Sequence, residues 1–406
     1  MLESPTTYAL KALSTLRPPQ KPLAFIGPGS SEELADLLIA SGHRRPLLVT
    51  GTFLLSRGRL DGLLERFRSQ GCDVTIFDGV VPNPTFAVVE DALGLSRANG
   101  CDSVFAVGGG SAIDVGKVVA AASVDGRDLH RLAGLFKIKK TPLPLYAVPT
   151  TSGSGSEATA AAVISDTQSH RKTFFVDPTL VPIAAALDPE LLKTLPAGMT
   201  AAVGMDALTH AIEAFTSRNR FPDSDRDAAL AIQLLFEFLP TAYRSGDDLK
   251  ARERVALASF LAGYAFAKSS LGYVHAISHQ ISAHYDTPHG LANAVILPRI
   301  LRFNRSASAE RFAALETRLA NGSADRAAST ASDLANRFIA RVDALGEEIG
   351  IPGRLEELEA KDFPSIIRRA RSEARRSYAA PRAMRPVHVE AVLRSIATGQ
   401  LEPSFG

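Results

Sequence analysis

Residues 103–123 read SVFAVGGGSAIDVGKVVAAAS, and this stretch decides the fold. A run of β-branched and apolar residues makes a buried strand, three glycines turn the chain, and apolar residues then recur at helical spacing. Toward the N-terminus the same alternation repeats: PLAFIG (22–27) before SSEELADLLIA (30–40), RPLLVTG (45–51) before LLSRGRLDGLLERFRSQG (54–71), and DVTIFDG (73–79) before TFAVVEDALGLSRANG (85–100). Such alternation predicts β-α-β units and a mainly parallel sheet. Strands at LPLYAVPTT (143–151) and AAVISD (161–166) are expected to continue it. From about Pro196 the pattern becomes helical throughout, as in AAVGMDALTHAIEAFTS (201–217), DAALAIQLLFEFLPTAY (227–243) and ARERVALASFLAGYAFAKSS (251–270). Two prolines and a glycine in LDPELLKTLPAG (187–198) punctuate the change. The expectation is an α/β domain over residues 1–195 and an all-helical domain over 196–406.

Composition agrees with a two-domain enzyme. A chain of 406 residues exceeds the length at which one core usually keeps growing. With 45 basic and 43 acidic side chains the net charge is +2, which speaks against a nucleic-acid or membrane-surface partner. The one basic cluster, Arg368, Arg369, Arg371, Arg375 and Arg376, reads as a solvated helix face. Cys72 and Cys101 are too few for a disulfide framework and lack zinc-ribbon spacing, so both are expected to be buried thiols. No basic leader followed by an apolar segment opens the sequence, and no apolar run reaches the roughly eighteen residues of a membrane span. A cytoplasmic protein is expected.

The glycine turn Gly108-Gly109-Gly110-Ser111 lets backbone approach a bound group closely, and the helix it opens would favour a phosphate at its N-terminus. Ser111 and Asp114 also have the spacing of a capping box, so the turn taken alone is equally a helix start. The Rossmann fingerprint is incomplete, because Ile113 stands where its third glycine belongs. A second small-residue run, PTTSGSGSE (149–157), follows a strand, so its hydroxyls fall at the carboxyl edge of the sheet, where open α/β sheets bind ligands.

In the helical half, Asp206 and His210 are four apart and share a helix face, and His275 and His279 repeat that spacing. His289 follows in YDTPHGLAN (285–293). A single histidine on an apolar helix is usually a hydrogen-bonded core residue. One carboxylate and several imidazoles together are costly to bury without partners, and a divalent cation is such a partner.

Four segments, GGGSAIDVGK, PTTSGSGSEAT, GMDALTHAIEAF and HAISHQISAHYDTPHGLANAVILP, resemble the hallmark motifs of the iron-containing (group III) alcohol dehydrogenases, in the family's order, over about residues 20–305. The resemblance implies a dehydroquinate-synthase-like architecture, with an α/β dinucleotide-binding domain followed by an all-α domain. It makes Asp206, His210, His275 and His289 the ligands of one divalent metal, Fe(II) by family and Zn(II) by affinity order. It sets His279 facing the nicotinamide as a participant in proton relay. Gly109, Gly110 and Ser111 would hold the pyrophosphate, Thr150, Thr151 and Ser154 would line the nicotinamide side, and Asn83 and Lys172 would add further cofactor contacts. The implied reaction is hydride transfer between NAD(P)(H) and a small alcohol or aldehyde, by an enzyme that forms homodimers or larger assemblies.

Three positions depart from that pattern or fall outside it. NAD-preferring relatives end the second strand with an aspartate that would repel a 2′-phosphate, whereas here Gly51 follows LLVT, so NADP(H) is expected to be accepted, with Arg57 as a phosphate partner. Arg299 stands where many relatives carry histidine and reads as a surface arginine or an aid to an anionic substrate. His284 matches no ligand and reads as a helix-end residue. Beyond about residue 306 only "helical" can be read. The competing functions are a dehydroquinate-synthase-type lyase on the same fold, for which the basic residues that would hold a phosphate-bearing substrate are missing, and a non-catalytic binder that keeps the scaffold.

Overall fold

In the computed structural model, which describes residues 20–166, 171–320 and 329–405, the stretch 103–123 becomes a strand running into a sixteen-residue helix. The strands are β1 (Leu23–Ile26), β2 (Pro46–Val49), β3 (Thr75–Phe77), β4 (Ser103–Gly108), β5 (Gly134–Leu135), β6 (Leu145–Pro149), β7 (Ala161–Asp166), β8 (Arg171–Val176) and β9 (Ala184–Leu187). Six of them form a sheet in the order β1-β9-β6-β4-β2-β3, with every pairing parallel. β2, β4, β6 and β9 are buried along their whole length, because helices cover both faces of a parallel sheet.

Side-chain alternation feeds two separate core layers. Val104 and Ala106 of β4 join Leu47, Val49, Leu145 and Ala147 on one face, under α4 (Phe86–Ala98) and α5 (Gly110–Asp125). Phe105 and Val107 join Leu48, Tyr146 and Val148 on the other, under α1 (Ser30–Ala40) and α3 (Asp61–Ser69). Gly116 lets α5 press onto the sheet, since a Cβ there would lie 2.9 Å from that of Ala106.

Four expectations are corrected. The helical pattern of 54–71 is two helices, α2 (Thr52–Ser56) and α3, because Gly58 adopts φ 64 between them. β7 does not extend the parallel sheet: it pairs antiparallel with β8, which pairs parallel with β5, in a separate three-stranded sheet. β9 was not anticipated, since Ala184, Ala185 and Ala186 carry little strand propensity. Ser111 and Asp114 do not cap α5, whose N-cap is Gly109 with no side-chain bond. Asp114 instead accepts from Ser156 Oγ (2.6 Å) and Val163 N (2.9 Å).

By packing the described residues divide into two compact units, one holding residues 20–195 together with Gly246–Gly263, the other Pro196–Ser245 and Tyr264 onward. Helix α9 (Leu249–Ser269) thus belongs to the α/β unit as far as Gly263. Gly155, at φ 60, and Gly263 explain the attachment: a Cβ on Gly155 would stand 2.6 Å from Gly263 Cα, so the two backbones touch. Among its described residues the regular structure of the second unit is all helical: α7 (Ala197–Thr216), α8 (Pro222–Arg244), α10 (Tyr273–Tyr285), α11 (His289–Leu319), α12 (Ala331–Glu348), α13 (Phe363–Ser377) and α14 (Pro386–Thr398), the short helix Leu129–Leu132 being α6 of the first unit.

Arg299 is not a surface residue. It is 1% exposed and donates to Val295 O (2.6 Å), Gly353 O (2.7 Å), Ser395 Oγ (3.0 Å) and Ser395 O (3.3 Å). A guanidinium fans its five donors to several acceptors at once, so this one ties α11 to α14 and the 353 turn. Its burial pushes the group down to about 10. Among the described residues no single helix is long and apolar enough to cross a membrane.

Candidate metal centre and dinucleotide loop

Helix α7 carries Asp206, His210 and Glu213 on one face, at spacings of four and three. α10 adds His275 and His279, and α11 opens at His289. The donor atoms of Asp206, His210 and His275 all lie within 4.8 Å of one another. Asp206 Oδ1 is 3.9 Å from His210 Nε2, 3.7 Å from His275 Nε2 and 3.7 Å from His289 Nε2. First-row divalent ions hold nitrogen and oxygen donors at about 2.0–2.2 Å, which sets neighbouring donors about 3–3.5 Å apart. The donors of Asp206, His210 and His275 therefore converge with nearly the separation one ion requires, and His289 Nε2 stands beside them, 3.7 Å from Asp206 Oδ1 but outside that mutual group. Burial alone would push the Asp206 carboxyl up, yet the imidazoles of His210, His289 and His275 hold it far below the usual carboxylate range. His289 is the most open of the four, its side chain 32% exposed against 1% for His275.

The structure adds residues that the sequence reading missed. Glu213 accepts from His275 Nδ1 (2.7 Å), Gly272 N (2.8 Å) and Val274 N (2.8 Å), so it both orients the imidazole and caps the first turn of α10. Gly272 is obligatory beside it, because a Cβ there would lie 2.6 Å from Glu213 Oε1. Ser278 Oγ lies 3.0 Å from His289 Nδ1. Asn293, fully buried one turn along α11, directs its amide nitrogen to Asp206 Oδ1 (2.7 Å) and lies 3.1 Å from the Nε2 atoms of both His275 and His289. The i+7 position of Glu213 and the i+4 position of Asn293 were the available signals. His279 stacks on His289 at 5.1 Å and bonds through Nδ1 to Glu373 (2.6 Å). His284 lies in the last turn of α10, paired with Asp362 at 3.2 Å, as expected of a helix-end residue.

In the α/β unit the two small-residue loops meet. Thr150 N donates to Gly108 O (2.9 Å), a Cβ on Gly109 would lie 3.4 Å from Thr151 Oγ1, and one on Gly110 only 2.8 Å from Ser154 Oγ. Bare backbone at Gly109 and Gly110 thus faces the hydroxyls of Thr151 and Ser154 at the N-terminus of α5, where Ser111 sits in the first turn. Free N–H groups, the helix dipole and flanking hydroxyls make a cradle suited to a pyrophosphate. Lys117 fixes the hydroxyl loop to α5: it is fully buried and donates to Ser156 O (2.7 Å), Ser156 Oγ (3.0 Å), Thr159 Oγ1 (3.0 Å) and Ala161 O (2.7 Å). Asn83 stands at φ 53 in a turn whose Pro84 O accepts from Ser165 N, and Ser165 pairs with Lys172, so the structure brings these two residues into one neighbourhood on the second sheet. Gly51 bridges to Gly79 just past β2 and precedes α2, with the Arg57 guanidinium over the Phe53 ring.

Residues 22–189 match the family described as iron-containing alcohol dehydrogenase, and residues 200–397 match the Fe-containing alcohol dehydrogenase family, C-terminal. The chain is similar to the 1,3-propanediol dehydrogenase of Citrobacter freundii (40% identical, covering 85% of this chain and 90% of the relative). It is also similar to the NAD-dependent methanol dehydrogenase of Bacillus methanolicus (36%, covering 84% and 89%) and the lactaldehyde reductase of Escherichia coli K12 (33%, covering 86% and 91%). A crystal structure of 1,3-propanediol oxidoreductase superposes with a TM-score of 0.88 at 37% identity, covering 93% of this chain and 98% of that one. The chain belongs to the iron-containing alcohol dehydrogenase family. Within that family it is an oxidoreductase of the alcohol dehydrogenase and aldehyde reductase type, and nothing in these likenesses supports the lyase alternative.

Proposed function

We propose that Asp206, His210, His275 and His289 hold one Fe(II) ion, and that the enzyme interconverts a short-chain alcohol and its aldehyde with NAD(H) or NADP(H). The observation that carries this reading is the convergence of one carboxylate oxygen and three imidazole nitrogens at separations of 3.7–3.9 Å from Asp206 Oδ1. A bound divalent ion supplies Lewis acidity to the substrate oxygen, and the nicotinamide carries the hydride. The chain's own residues orient and sequester. Glu213 and Ser278 fix the rings of His275 and His289, Gly109, Gly110 and Ser111 receive the pyrophosphate, and Thr150, Thr151 and Ser154 border the nicotinamide side, with Asn83 and Lys172 as outer contacts. His279, stacked beside His289, takes the alcohol proton toward solvent in oxidation and returns one in reduction. The functional division falls between residues 195 and 196, with Gly246–Gly263 returning to the α/β unit, and the enzyme works as a cytoplasmic homo-oligomer. The names of the relatives, which act on propanediol, methanol and lactaldehyde, favour unbranched substrates of one to three carbons.

Zn(II) suits the same donors, so the ion is tested directly. Metal analysis of anaerobically purified protein, followed by reconstitution of the apo form with each ion, should restore turnover with Fe(II); turnover with Zn(II) alone would reverse the assignment. Gly51, which has no carboxylate to repel a 2′-phosphate, supports NADP(H) use. Gly51→Asp should lower kcat/KM for NADPH by tenfold or more while leaving NADH usable, and strict NADH dependence of the parent enzyme would refute the cofactor assignment.

A further inference from the structure

Helix α13 carries the arginines of the basic cluster, yet one acidic residue in their midst, Glu373, turns the other way. Its side chain is 22% exposed and packs toward α10. Glu373 Oε1 lies 2.6 Å from His279 Nδ1 and also accepts from Tyr378 Oη at 2.6 Å, while Oε2 accepts from Gln280 Nε2 at 2.8 Å. Both carboxylate oxygens are thereby occupied by donors from three side chains. A neutral imidazole carries its proton on one nitrogen only, and a carboxylate acceptor on Nδ1 keeps that proton there, leaving Nε2 as the acceptor. The ring plane is fixed as well, stacked on His289 at 21° and edge-on to His275 at 5.9 Å.

We propose that Glu373 is the positioning residue of His279, setting its tautomer and orientation so that Nε2 is presented to the reactants, with Tyr378 and Gln280 holding the carboxylate in place. The influence of Glu373 passes through His279, whose ring stacks on the proposed ligand His289. The inference rests on the reading of His279 as the proton-relay group, and the two are separable by experiment.

The test uses the metal-loaded enzyme and the variants Glu373→Gln, Glu373→Asp, Tyr378→Phe and His279→Ala, with the double variant Glu373→Gln/His279→Ala. Glu373→Gln should lower kcat roughly ten- to hundredfold, the range seen when an outer partner of a site histidine is lost. Metal content and nucleotide Kd should stay unchanged, and Glu373→Asp should recover part of the loss. In the His279→Ala background the same change should cost nothing further. Nitrogen-15 NMR of the histidine-labelled protein gives a readout apart from turnover: His279 should show a protonated Nδ1 in the parent and a shift toward the other tautomer in Glu373→Gln. Full kcat in Glu373→Gln beside an impaired His279→Ala would overturn the positioning role alone, as would an equal loss in both backgrounds. Full kcat in His279→Ala would overturn the relay reading itself.

Discussion

Replacing Glu213 by glutamine should weaken metal binding ten- to hundredfold, and the size of the effect follows from the bonds the carboxylate makes. Oε2 accepts from both Gly272 N and His275 Nδ1, and Oε1 accepts from Val274 N. A glutamine can present its oxygen at only one of these places. With the amide nitrogen at the Oε2 position, two donors face a donor, and His275 relieves the conflict only by moving its proton to Nε2, the nitrogen that would ligate the metal. With the nitrogen at the Oε1 position, Val274 N loses its acceptor at the first turn of α10. Hydrogen bonds to a charged group are worth about 1.5–3 kcal/mol. Losing one and blocking the ligating tautomer part of the time gives about 1.4–2.8 kcal/mol, which is one to two decades in affinity. The backbone part of this loss exists without metal, so the apo protein should also lose about 1–2 kcal/mol of stability. Dialysis against graded chelator with metal analysis measures affinity, and circular dichroism on the same samples establishes that the fold is intact. A folded Glu213→Gln protein that binds metal within twofold of the parent would refute the argument that this carboxylate orients His275.

Three further outcomes are expected. Arg299→Leu strands the carbonyls of Gly353 and Ser395, so denaturant unfolding should show a loss of about 3 kcal/mol or more with the kcat of the remaining folded enzyme little changed; a specific rise in KM would instead revive a substrate role. Glu157 is 1% exposed, and burial raises its carboxyl from 4.5 to about 7. Its folded-state value lies above its unfolded one, so its contribution is fully present below pH 4.5 and is lost as pH rises through about 7. Glu157→Gln should therefore flatten the stability profile across that window and stabilise the protein at pH 8 by up to about 3 kcal/mol, with an unchanged profile counting against it. Gly110→Ala places a Cβ 2.8 Å from Ser154 Oγ, and calorimetry should show nucleotide affinity falling by tenfold or more while the melting temperature moves little.

The sheet was legible because its central strands are buried on both faces and therefore written as continuous apolar runs, while helices α1, α4 and α5 carry an uninterrupted period. What was not legible departs from that code for identifiable reasons. β9 is built largely of alanine and is held in the sheet by its neighbours β1 and β6 rather than by propensity. β7 has the composition of any other strand, and nothing in its own residues encodes that it pairs antiparallel with β8 instead of joining the parallel sheet. Arg299 looked like a surface residue because an arginine in a helical run gives no hint that three acceptors await it from elements 54 and 96 residues away.

The site divides along the same line. Asp206, His210, His275 and His289 stood out because imidazoles are rare at helix positions that call for Leu or Ala, and burying several together demands a partner. Their supports lack that contrast. Glu213 lies on the face of α7 set by Asp206 and His210, so its i+7 spacing could have been followed one step further. Glu373 could not have been found in this way. It is flanked by arginines in a segment with the charge pattern of a solvated helix, and its contact with His279 spans 94 residues. A ligand set is a property of residue type and local spacing, whereas the groups that orient it are fixed by tertiary contact. The coordinates therefore add most at the carboxylates behind the histidines, where variants can separate the roles of Glu213 and Glu373: the first should move metal affinity, and the second should move turnover at constant metal content.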